Sequence, residues 1–146
     1  VQGGRTIGLN LGGGWTDGTG MNENGFVVDG RVTKVHDDLR FEYDPGDFMR
    51  PWRIRTRETD QVDLLFEPFF ERVARTDALV VRSEVHQMMG RFTGTVVTEG
   101  GERIAIERMV GWAEGIMRDG SPAVAVRTRQ RTSRRVCFFT RGTAMM

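Results

Sequence analysis

The chain has a single cysteine, Cys137, among its 146 residues, which excludes an internal disulfide framework and a cysteine-based metal cluster. One thiol fits a reducing compartment, so a cytoplasmic location is expected. Lysine also occurs once, at Lys34, and nearly all positive charge is arginine. Phosphate-binding surfaces often use both cations, and GC-rich coding yields the same arginine bias, so the bias names no partner. No apolar run approaches the roughly 18–20 residues needed to cross a bilayer, so no membrane partner is expected. Val1-Gln2-Gly3-Gly4-Arg5 is not a signal peptide, and without an initiating Met the chain reads as a fragment.

Catalytic signatures are missing too. There is no G-x-S-x-G, no H-E-x-x-H and no Cys–His pairing, so no reaction is assigned and enzymatic status stays open. The densest glycine run, LGGGWTDGTGMNENGF at residues 11–26, fails as a Walker loop because no lysine lies near it. It fails as a dinucleotide fingerprint at the third glycine, and no amphipathic helix follows. No cofactor is expected. His36-Asp37-Asp38 with His86 lacks an organised third ligand, so no metal is expected either.

Strand patterning is abundant. Residues 26–28 and 31–35 flank Asp29-Gly30, a pair suited to the positive φ angles of a two-residue hairpin turn. Leu39, Phe41 and Tyr43 alternate with Arg40 and Glu42 before the turn Asp44-Pro45-Gly46-Asp47. Trp52 and Ile54 oppose Arg53, Arg55 and Arg57; Val62, Leu64 and Phe66 oppose Asp63 and Leu65. Residues 78–88 and 91–98 form a long strand pair with a bulge or bend at Gly90. Residues 103–107 follow a Gly-Gly turn. Helical periodicity is confined to 68–76, which has room for a turn or two. The expectation is an all-β chain, an antiparallel barrel or sandwich.

Two clusters are candidate ligand sites. On the glycine-rich segment, Trp15 offers a stacking wall and Asp17 and Glu23 are acceptors; the alternative is pure turn architecture, with Asp and Asn bonding their own backbone. On the strand around 80–86, alternation puts Arg82, Glu84 and His86 on one face, an acid/base couple with a neighbouring cation, or else a solvated face.

Charge divides the chain. Residues 118–146 hold seven arginines against one acid, Asp119, a net of +6 that leaves −5 for the rest of a chain totalling +1. The expected organisation is an antiparallel β domain at 1–117 and an irregular basic tail at 118–146. That tail is either a nucleic-acid arm, a solvated segment, or sequence unrelated to the fold, such as a shifted reading frame.

The stretches NLGGGWTDGTGMNENGFVVDGRVTKV, LRFEYDPGDFMRPWRIRT, VDLLFEPFFERVA and SEVHQMMGRFTGTV resemble the C-terminal half of the bacterial domain-of-unknown-function 2804 family, from about Thr6 to Gly115. The resemblance implies a fragment whose N-terminal half is missing. It also implies a distant architectural similarity to lipocalin-like hydroxyneurosporene synthase proteins (carotenoid hydratases), whose β halves bind apolar molecules. It transfers no catalytic residue. Three functions stay open: binding a small, largely apolar molecule; serving as a non-catalytic structural half packed on the missing N-terminal half; and nucleic-acid binding through the arginine-rich tail.

Overall fold

The described residues form nine strands: β1 (Ile7–Gly13), β2 (Gly25–Val28), β3 (Arg31–Lys34), β4 (Leu39–Glu42), β5 (Trp52–Thr56), β6 (Val62–Ala78), β7 (Val81–Val97), β8 (Arg103–Arg118) and β9 (Ser121–Arg127). They come from a computed structural model that describes residues 4–14, 17–19, 21–78, 81–118 and 121–127, with backbone alone for 75–78, 81–84, 116–118 and 121–127. All pairings are antiparallel, in the order β3-β2-β1-β9-β8-β7-β6-β5-β4. β1–β3 form one wing and β4–β8 the other. β9 bridges them by pairing with β1 and with β8.

The wings share one core, so the arrangement is sandwich-like. β3 and β4, consecutive in sequence, are the two ends of the order and do not pair, so the sheet is not closed into a barrel. Each wing supplies its alternate residues to the core: Ile7, Leu9 and Leu11 from β1, Trp52 and Ile54 from β5, Val62, Leu64 and Phe66 from β6. The rings interlock, with Phe66 stacked on Phe92 at 4.4 Å and Trp52 edge-on to Phe66 at 5.8 Å. The buried indole N–H of Trp52 donates to the Phe48 carbonyl at 2.9 Å. Asp29 and Gly30 turn with φ of 50° and 82°, as the hairpin reading requires.

One expectation needs correction. Residues 68–76 are strand, not helix: β6 runs through them without interruption. Pro68 pairs with Gly90 and Phe70 with Met89, leaving Phe69 as the extra residue of a bulge, a place where a proline is tolerated inside a strand. Residues 121–127, within the segment expected as a basic tail, form β9. Arg118 and Ser121 pair directly across the Asp119-Gly120 dipeptide, and Ala-Val-Ala-Val then supplies a strand-forming run. Pro122 precedes the stretch 124–127 that pairs with β1, so its missing N–H breaks no bond on that side. Residues 128–146 lie outside the described residues.

Candidate functional site

The glycine-rich connection between β1 and β2 is held by its own short polar side chains. Asn24 Oδ1 accepts from Gly12 N at 2.6 Å, Asn22 Oδ1 from Asn24 N at 3.0 Å, and Asp17 Oδ1 from Gly14 N at 3.0 Å. Asn10 Nδ2 donates to the Glu23 carbonyl at 2.8 Å, and Lys34 Nζ donates to Asn22. These are the bonds that turn architecture calls for. Two contacts reach further. Asp17 Oδ2 accepts from Arg57 Nη2 at 2.8 Å, and Gly18 N donates to Asp38 Oδ2 at 2.8 Å. Asp17 thus ties this segment to the end of β5. Glu23 is exposed, and Trp15 lies outside the described residues.

Next to it, Asp37 fixes the turn between β5 and β6. Its Oδ2 accepts from Glu58 N (2.8 Å), Thr59 N (2.9 Å) and Thr59 Oγ1 (3.0 Å). Partial burial pushes the Asp37 carboxyl up, but the bonds from Glu58 and Thr59 outweigh this and hold it below its ordinary value of 3.8. A depressed folded-state value means that its stabilisation is complete above the unfolded carboxylate range and is lost as pH falls through the folded value. Asp37→Ala is therefore expected to lower stability by about 2 kcal/mol at neutral pH. The gap between variant and wild type should narrow as the pH falls below about 3.8 and through the lower folded value. Urea unfolding across pH checks both, and a pH-independent gap would assign the loss to packing. Both Asp37 and Asp38 are committed to backbone N–H groups, and among the described residues no group of three or more metal-ligating side chains converges.

His86 sits on the core side of β7. Its Nδ1 lies 2.6 Å from Glu71 Oε1, and its ring is tilted 4.6 Å from Phe48. Phe48 in turn stacks on Tyr43 at 5.6 Å, and Tyr43 on Trp52 at 4.7 Å. The acid next to His86 on the inner face is thus Glu71, from the neighbouring strand. The sequence reading missed Glu71 because it lay in the segment given to a helix. Backbone register puts Arg82 opposite Asp77 and Glu84 opposite Arg75; the side chains of Arg82 and Glu84 are outside what is described. Asp17 and His86 are engaged by different elements, the end of β5 and the middle of β6.

The other face of the long strands carries a different feature. Phe70, Met89 and Trp112 are register partners across β6, β7 and β8, with Val110 beside Arg91 in the next row. Phe69, Phe70, Met89 and Val110 are 43–53% exposed. Arg91 lies over the Phe69 ring at 4.8 Å.

Residues 1–118 match the model of a family described as a domain of unknown function, DUF2804. No curated protein and no solved structure matches the chain. Among the described residues, no helix is long and apolar enough to cross a membrane.

Proposed function

The chain belongs to the DUF2804 family, and from that premise we propose that it works as a structural interaction module, with the outer face of β6–β8 as the surface that packs on an N-terminal half of the same protein. The apolar row Phe69, Phe70, Met89 and Val110 carries this reading. A contiguous exposed patch of large apolar side chains on a sheet face is costly in water and is characteristic of an interface. Arg91 on Phe69 gives the row a polar margin, as interface rims have.

The isolated chain is then expected to bind an apolar dye and to associate as its concentration rises. Phe70→Lys combined with Met89→Lys should abolish both while leaving the melting temperature within a few degrees of wild type, since neither side chain is part of the core. Sedimentation velocity with dye fluorescence checks this. A wild-type chain that stays monomeric and dark at high concentration would defeat the proposal.

The second reading, a site for a small and largely apolar molecule, draws on the Glu71–His86 pair beside Phe48 and Tyr43. An ionisable pair on an inner face among aromatic rings can orient one polar group of such a ligand. Dye uptake that survives the two lysine substitutions but is lost in His86→Ala would favour it. The nucleic-acid alternative rests on residues whose side chains lie outside the description.

A further inference from the structure

We propose that the cleft at the β4–β5–β6 corner binds the oxyanion of a small molecule, a carboxylate or a phosphate ester, between Arg40 and Arg55. The cleft is half-open to solvent, has a volume of about 710 Å³ and is lined by Arg40, Arg55, Arg57, Glu58, Thr59 and Asp60 among others. That volume falls within the roughly 300–1,000 Å³ of ligand pockets.

The charges around it are unevenly compensated. Arg40 and Arg55 are direct cross-strand partners, an arrangement that is destabilising for like charges. Both lean on one carboxylate, with Glu42 Oε1 3.1 Å from Arg40 Nε and 2.7 Å from Arg55 Nη2. A guanidinium carries five N–H donors in a planar fork suited to an oxyanion, so a single shared carboxylate leaves most of that capacity unused. The third cation, Arg57, is held in place by Asp17 at 2.8 Å.

The rim is also built in advance. Asp37 fixes the backbone of Glu58 and Thr59, and Thr56 Oγ1 donates to the Thr59 carbonyl at 2.5 Å. A loop already fixed loses little freedom when a ligand enters. The lining also holds acids: Asp63 is paired with Arg53 at 2.8 Å, and Glu58 and Asp60 are further lining residues. This site is independent of the apolar face on β6–β8.

The test titrates inorganic phosphate into the isotope-labelled full chain at low ionic strength and follows the arginine side-chain N–H signals by NMR. Saturable shifts at Arg40 and Arg55 in the millimolar range are expected, with chloride at equal ionic strength giving none. Arg40→Gln and Arg55→Gln should each weaken binding about tenfold. Glu42→Gln removes the internal competitor and should tighten binding at least about threefold, which a purely structural ion-pair lattice would not do. Circular dichroism and melting temperature establish that each variant is folded. Non-saturable shifts, equal shifts with chloride, or an affinity unmoved by Glu42→Gln would overturn the proposal.

Discussion

Gly94→Ala is expected to lower stability by about 3 kcal/mol or more, a fall in melting temperature on the order of 6–12 °C for a chain of this size. Two independent causes act at this position. Gly94 has φ of +141°, a backbone conformation that an L side chain adopts only with strain. A Cβ there would also sit 2.2 Å from the Asp63 carbonyl oxygen and 3.0 Å from Leu64 Cα, both backbone atoms that cannot swing aside. A bulge lies at the same level on the other neighbouring strand. Phe92 pairs with Met109 but Gly94 pairs with Ile106, so β8 carries an extra residue, and Arg108 takes a φ of 51° to absorb it. β7 is pressed against β6 at this level, and only glycine fits.

Gly8→Ala is the control. No atom lies within 4 Å of a Cβ at Gly8, and its φ is not in the left-handed region, so a change within about 0.5 kcal/mol is expected. Gly90→Ala should resemble Gly94→Ala, because the added Cβ would lie 2.3 Å from the Phe66 ring and 2.6 Å from the Glu67 carbonyl. Phe66 is fully buried between Phe92 and Trp52 and has no free space to yield. Denaturant unfolding of the three variants decides the matter. A Gly94→Ala chain as stable as Gly8→Ala would refute the close approach of β7 to β6.

The same bulges explain where sequence patterning stopped being legible. Along β6, Val62, Leu64 and Phe66 face the core at even positions, so their strand was readable from alternation alone. After the bulge at Phe69 the phase flips: Glu71 and Val73 are the partners of the inner-face residues Met88 and His86. Period two is lost for one step, and the segment mimics a short helix. β8 repeats the pattern, with Ile104 and Ile106 buried before Arg108 and Met109, Gly111 and Ala113 after it. The legible strand there ended at residue 107, where the phase changes.

The candidate residues divide along similar lines. Asp17 was recognisable as a hydrogen-bonding turn residue, but its link to Arg57 spans forty positions and depends on how the wings meet. Glu71 became visible as the partner of His86 only once β6 was seen to continue as a strand through 68–76. Arg40 and Arg55 were visible as outward-facing residues. That they oppose one another and share Glu42 follows from strand register, which hairpin lengths and bulges determine and composition does not.

Removing β9 is expected to have an effect at least as large as any single substitution. A chain ending at Arg118 should be several kcal/mol less stable than one ending at Arg127, a large share of the roughly 5–15 kcal/mol that holds a domain folded. Among the described residues β9 is the sole strand connecting the wings in the hydrogen-bonded order, pairing with residues 10–13 of β1 and 112–118 of β8. Without it two internal strands become edges, and their backbone N–H and C=O groups turn from sheet partners to water or to other chains. The β1–β3 wing would then rest on the packing of Ile7, Leu9, Leu11, Phe26 and Val28 and on side-chain links such as Asp17–Arg57, Gly18–Asp38 and Gln61–Lys34. Comparing ends at Arg127 and Arg118 isolates this strand from everything after it. Amide hydrogen exchange gives the second reading: N–H groups of residues 10–13 that face β9 should lose protection, while those of Phe66 and Phe92, deep in the other wing, should follow only the global loss. The family match ends at residue 118, just before this strand, so it does not bear on whether β9 forms. Equal stability of the two chains with unchanged exchange in β1 would return residues 121–127 to the basic tail and leave β1 and β8 as edges in the native fold.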